Sequence, residues 1–81
     1  MLFFVYIIYS AKLDRYYVGH TEDLAKRLND HNTGLSTYTS RDNSWRLVYS
    51  EEFAERNLAR MRELAIKRKK SRKYIEWLIA G

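Results

Sequence analysis

Residues 2–19 read LFFVYIIYSAKLDRYYVG, and the fold turns on how this stretch is divided. Leu2 to Tyr9 is an unbroken run of Leu, Phe, Val, Tyr and Ile, the composition of a strand. Ser10 to Asp14 is more polar and suits a hairpin turn, although no Asn-Gly or Asp-Gly pair specifies the turn type. Arg15 to Gly19 returns to strand composition. With Ala11-Lys12 as a two-residue turn, Tyr9 would face Asp14 and Tyr6 would face Tyr17, placing two phenols side by side on one sheet face. A slip of one residue would turn every side chain over.

Outward from the hairpin, Thr21 is expected to cap a helix running from about Glu22 to Asn32. Glu22 and Asp23 fall in its first turn, where the helix dipole favours acids, and Gly34 lies just past its end. Residues 33–44 are mostly Thr, Ser, Asn and Asp and read as a loop, and residues 45–50 read as a third strand. From Ala54 to about Lys70, Leu58, Met61 and Ala65 recur at helical spacing, flanked by Ala54 and Leu64. Ser71 can cap a last helix carrying Tyr74, Trp77 and Leu78. The order β-β-α-β-α-α predicts an α+β fold: a small three-stranded, mainly antiparallel sheet packed against helices, as one domain over residues 1–81.

Composition narrows the partners. The 81 residues carry a formal net charge of +5 and a pI of about 9.6, which favours a polyanion, although many small soluble proteins are also basic. There is no cysteine, which excludes disulfides and thiolate zinc sites and fits a cytoplasmic address. Leu2 to Tyr9 has no positive leader or cleavage site and is less than half of the ~20 residues that cross a bilayer, so no membrane role is expected. With 46% hydrophobic and 15% aromatic residues, the chain has enough apolar surface to fold.

Four constellations can carry chemistry. Leu24, Arg27, Leu28 and His31 form one stripe at i, i+3, i+4 and i+7, and half of it is polar. Arg27 and His31 either face a site, or snorkel to water and cap the helix end. Tyr6 and Tyr17 are either a packed aromatic pair or phenols turned into a pocket. Glu63 sits among Arg60, Arg62 and Lys67, either as half of a surface pair with Lys67 or as the single carboxylate that suits Mg²⁺. Residues 67–73 hold six basic residues in seven: a phosphate-backbone contact, or a solvated charge run at a helix end.

Taken in order, these residues resemble the GIY-YIG nuclease domain. Phe4-Val5-Tyr6 stands where that family has its first triplet and Tyr17-Val18-Gly19 where it has its second, followed by Arg27, His31 and Glu63. The likeness covers nearly the whole chain and is closest to small stand-alone members, which are similar to the N-terminal cutting domain of UvrC. It implies that Tyr6, Tyr17, Arg27 and His31 are catalytic and that Glu63 holds one Mg²⁺ or Mn²⁺. It further implies metal-dependent DNA endonuclease activity, as in repair or recombination. His20 and Arg41, with Lys67, Arg68, Lys69, Lys70, Arg72 and Lys73, are the expected DNA contacts, and a protein partner could supply targeting. The sequence departs from the family at Phe4 in place of glycine, at His20 where several nucleases have lysine, and in lacking a late site asparagine. Two other classes are a non-catalytic nucleic-acid-binding module of the same fold, and an adaptor docking through Trp45, Tyr49, Tyr74 and Trp77.

Overall fold

A computed structural model describes residues 1–35 and 39–81. The elements are β1 (Phe3–Ser10), β2 (Arg15–Thr21), α1 (Leu24–Asn32), β3 (Arg46–Phe53), α2 (Arg56–Lys69) and α3 (Arg72–Ala80). They follow the predicted order, and the sheet is antiparallel with strand order β2-β1-β3. β1 is central and covered on both faces, which is why its sequence is continuously apolar rather than alternating. Among the described residues, no helix is long and apolar enough to cross a membrane.

The two faces have different neighbours. Val5 and Ile7 point to one side, where they pack with Val18 of β2, Ala59 and Ile66 of α2 and Leu78 of α3. Tyr6 and Ile8 point to the other, against Trp45, with Leu24 and Leu28 of α1 and Tyr17 packed around them. The first layer is purely apolar; the second carries the polar groups described below. Where β1 meets β3, the register shifts between Ile7 and Ile8, so that Ile7 opposes Tyr49 while Ile8 opposes Leu47. This bulge changes the twist at the centre of the sheet.

The hairpin turn is longer than expected. Ser10 pairs with Arg15, Tyr9 with Tyr16, Ile8 with Tyr17 and Tyr6 with Gly19, so the turn is the four residues Ala11 to Asp14 and not Ala11-Lys12. Asp14 takes φ +51°, a left-handed conformation that Asp tolerates better than most residues. The Ser10 hydroxyl accepts from the Leu13 amide at 3.1 Å, which stabilises the longer turn. Because the shift from the expected register is two residues, Tyr6 and Tyr17 stay on one face, as diagonal rather than direct neighbours.

The helices differ from the sequence reading in their caps and in one buried stripe. α1 is capped by Asp23, whose carboxylate accepts from the Lys26 amide at 3.0 Å; Thr21 instead ends β2 and accepts from the Asp23 amide. At the other end, Gly34 at φ +81° permits paired bonds from Gly34 to the His31 carbonyl and from Leu35 to the Asp30 carbonyl, the αL ending that glycine favours. Ser71 caps α3, as expected, by accepting from the Tyr74 amide. In α2 the inward residues are Ala59 and Ile66, with Arg62 and Glu63 half-buried between them. Leu58 and Met61, two of the residues that recur at helical spacing, are 45% and 56% exposed. Trp45 is buried, so the four-aromatic docking patch does not form; Tyr74 and Trp77 stack on each other instead.

The loop from α1 to β3 is tied back to the hairpin. The buried Ser10 hydroxyl donates to the Asp42 carboxylate, and the other Asp42 oxygen accepts from the amides of Asn43 and Ser44. These charge-assisted bonds hold Asp42 below the usual carboxylate range, with Ser10 the largest contributor. The assignment of the α2 stripe is testable by urea unfolding. Ile66→Ala is expected to cost about 3 kcal/mol, whereas Met61→Ala should stay within about 0.5 kcal/mol; the reverse order would mean that α2 is rotated about its axis.

Candidate active site

The polar side of the sheet gathers Tyr6, Tyr17, Arg27 and His31. β1 supplies Tyr6, the edge strand β2 supplies Tyr17, and successive turns of α1 supply Arg27 and His31. The Tyr6 hydroxyl lies 2.9 Å from His31 Nε2. The Tyr17 ring packs edge-on against His31 with centroids 4.9 Å apart, and 6.4 Å from the Tyr6 ring. The Arg27 cation acts on the Tyr6 phenol, opposing the rise that burial imposes on it. Tyr6 and His31 are almost fully buried, at 2% and 0% exposed, while the Arg27 side chain keeps 35% exposure and so opens the cluster to solvent.

Gly19 makes this arrangement possible. It sits directly opposite Tyr6 in the sheet, and a Cβ there would fall 2.5 Å from the Tyr6 hydroxyl oxygen and 2.6 Å from its ring carbon. The glycine is required by this close approach and not by an unusual backbone angle. The buried phenol is held in place by its contact with His31.

Thr39 was not legible in the sequence, yet it completes the cluster. Its hydroxyl lies 2.6 Å from His31 Nδ1, and it is fully buried. The indole N–H of Trp45 donates to the Thr39 carbonyl at 2.9 Å. The Asn32 side chain in turn clamps Trp45, donating to its carbonyl and accepting from its amide. Among the described residues, no buried side-chain nitrogen or oxygen lacks a partner, as a buried polar network requires.

Charge fixes the direction of these bonds. Burial pushes the His31 imidazolium down to about 4, with Arg27 adding to the effect, so the ring is neutral near neutral pH. Burial raises the Tyr6 phenol to about 12 against the opposing pull of Arg27. A neutral ring has one proton for two partners, and the Arg27 cation, which pulls the phenol down, favours Tyr6 donating to His31 Nε2 and the imidazole proton lying on Nδ1, toward Thr39.

Glu63 approaches from the other helix layer, at the β2 edge. Its two oxygens are held by His20 Nδ1 at 2.5 Å and by Lys67 Nζ, which donates at 2.6 Å. Lys67 also lies 5.8 Å over the Tyr17 ring, and the Glu63 charge is felt at Tyr6. Burial opposes ionisation of Glu63, but the bonds from Lys67 and then His20 outweigh it and keep the carboxyl below its usual range. His20 is therefore a partner of Glu63 and not simply a surface contact for DNA. An ionised lone carboxylate suits a hard cation that keeps most of its water. Among the described residues, no three His, Cys, Asp or Glu come together, so a protein-only cage of the zinc type is not offered there.

The basic run is not a uniform row. It is broken at Lys70, which caps α2 at φ +47°, and Arg72 is drawn back to Asp14 and Glu76. Arg68, Lys69 and Lys73 are exposed, as is Arg41 in the loop.

Two outcomes check the geometry. Gly19→Ala is expected to displace the Tyr6 phenol, costing about 1–3 kcal/mol through overpacking; an unchanged midpoint and an unchanged Tyr6–His31 contact by NMR would contradict it. The folded His31 pKa of about 4 lies below the usual 6.5, so the unfolded chain binds more protons between these values. The contribution of His31 is fully present above about pH 6.5 and is lost as pH falls toward 4. Between pH 7 and 4.5 the loss is about 2 kcal/mol, and His31→Gln should remove it from the pH dependence of urea unfolding; identical pH slopes in the two proteins would contradict the neutral, buried ring.

Comparison with known proteins agrees with the fold. Residues 2–75 match the family model described as the GIY-YIG catalytic domain. A UPF0213 protein of Streptococcus pneumoniae serotype 4 is 38% identical over 64 residues, which span 78% of this chain and 65% of the relative. The chain thus matches just under two thirds of that protein's length. UPF0213 protein YazA of Bacillus subtilis is 35% identical over 77 residues, covering 90% of this chain and 77% of the relative. The solution NMR structure of UPF0213 protein BH0048 from Bacillus halodurans superposes with a TM-score of 0.61 at 30% identity, covering 99% of this chain and 84% of that one. The paired strands carrying Tyr6 and Tyr17-Val18-Gly19, the helix carrying Arg27 and His31, and the match over residues 2–75 lead to one conclusion: this chain belongs to the GIY-YIG family.

Proposed function

We propose that the protein is a metal-dependent DNA endonuclease that hydrolyses phosphodiester bonds at the Tyr6–Arg27–Glu63 surface. The observation that carries this reading is the contact of the buried Tyr6 hydroxyl with a neutral His31, under the influence of the Arg27 cation. It gives a buried phenol a cation on one side and a proton acceptor on the other.

A water molecule at the mouth would pass its proton to the Tyr6 oxygen while the phenol proton moves to His31 Nε2. Such a relay needs no free phenolate, which the raised phenol would not supply at neutral pH. Arg27 would stabilise charge on the Tyr6 oxygen and on the phosphate. Tyr17, packed edge-on against His31, would keep the imidazole plane in line. A divalent ion, Mg²⁺ or Mn²⁺, held by Glu63 would polarise the phosphate and stabilise the leaving oxygen. Lys67 and His20, bound to the two Glu63 oxygens, keep that carboxylate ionised and aimed at the β2 edge. The half-exposed Lys67 is the partner free to turn aside. The net positive charge supports attraction to the DNA backbone.

Cleavage of supercoiled plasmid and of branched DNA with Mg²⁺ or Mn²⁺ tests this reading. Arg27→Ala and Glu63→Ala are each expected to lose about a hundredfold or more in rate. Cutting that survives both substitutions would sink the assignment, and binding without any cutting would make this a non-catalytic module.

A further inference from the structure

A groove of about 900 Å³ runs along the outer edge of β2, beneath the C-terminal end of α2 and the start of α3. Its base is apolar, formed by Tyr16, Ile66 and Ile75. Its rim is cationic: Arg15, Lys67, Lys70 and Arg72 face one carboxylate, Asp14. Two of these cations are already committed, Lys67 to Glu63 and Arg72 to Asp14 and Glu76. Arg15 and Lys70 are exposed and make no ion pair among the described residues. One end of the groove is shared with the candidate active site, since Tyr17 and Lys67 line both.

We propose that this groove holds a short unpaired segment of DNA leading to the bond presented to Tyr6 and Glu63, so that the substrate carries a single-stranded stretch beside the cut. The proposal rests on the nuclease reading above and names its substrate class. An unpaired strand shows both phosphates and base faces, so its phosphates can meet Arg15 and Lys70 while its bases lie on the apolar base. The Arg72 guanidinium, 5.1 Å over the Tyr16 ring, adds a flat cationic surface of the kind that bases stack on. A duplex keeps its base faces within the stack and offers mainly phosphates to such a groove, leaving the apolar base in water. An acidic peptide would satisfy the cations but brings no rings to cover Tyr16 and Ile75.

Fluorescence anisotropy in metal-free buffer separates these occupants. The ligands are a short labelled DNA strand, the matching duplex and polyglutamate, tested on the native chain and on Glu63→Gln. The strand is expected to bind about tenfold tighter than the duplex or polyglutamate. An Arg15→Ala/Lys70→Asn double variant should weaken strand binding and reduce the slope of log affinity against log salt by about 1.4; asparagine is chosen because Lys70 is left-handed. Duplex or polyglutamate binding as tight as the strand would overturn the proposal, as would a double variant with unchanged strand affinity and salt slope. Cleavage is scored separately with metal: strand binding without cutting contradicts the nuclease reading alone, and cutting with a preference for uniform duplex contradicts the groove alone.

Discussion

The Tyr6 hydroxyl meets His31 Nε2 at 2.9 Å between two almost fully buried side chains, and the surrounding structure is arranged around that contact. It joins the central strand to α1 through two polar side chains, which is tolerable only if every remaining donor and acceptor is matched. Arg27 acts on the phenol as a nearby cation, and Thr39 matches the far nitrogen of the imidazole. Thr39 is held by Trp45, and Trp45 by Asn32. The Asp42–Ser10 bond then ties the chain just before β3 to the hairpin that presents Tyr6. Gly19 leaves the space in which the phenol lies. Stability and chemistry here depend on the same atoms.

The sheet separates two tasks. Val5 and Ile7 face a wholly apolar layer built with α2 and α3, and this layer supplies most of the burial that folds so small a domain. Tyr6 faces the layer beneath α1, where polar groups are held in place by their mutual bonds. Glu63 belongs to the apolar side by its helix, yet reaches the β2 edge because Arg62 and Glu63 occupy the middle of the inward stripe between Ala59 and Ile66. The edge strand is therefore where the carboxylate and the tyrosine cluster meet through Lys67, and where the adjoining groove begins.

Much of this was legible in the sequence, for identifiable reasons. Strand composition on both sides of residues 10–14 located the hairpin, and the polar half of the Leu24-Arg27-Leu28-His31 stripe marked the face that carries Arg27 and His31. The register was not legible, since Ser10-Ala11-Lys12-Leu13-Asp14 contains no turn-specific pair, and the left-handed Asp14 lengthens the turn by two residues. An even slip preserves faces, so Tyr6 and Tyr17 stayed together. The spacing of Leu58, Met61 and Ala65 located α2 but not its buried face, because the anchors of that face are a small Ala59 and a lone Ile66, while Leu58 and Met61 are exposed. The roles of Thr39, Trp45 and Asp42 arise from loop closure in three dimensions, and the His20–Glu63 pair spans 43 residues. No local pattern encodes such contacts.

The central claim is that His31 is a neutral acceptor for the Tyr6 proton, with its own proton on Nδ1 toward Thr39. The ¹⁵N shifts and one-bond couplings of the His31 ring at pH 7 test this most directly, in the native chain beside Thr39→Val. The account predicts a protonated Nδ1 and an unprotonated, hydrogen-bonded Nε2 in the native chain, with that tautomer weakened when the Thr39 hydroxyl is removed. An imidazolium at pH 7, or a proton fixed on Nε2, would contradict it.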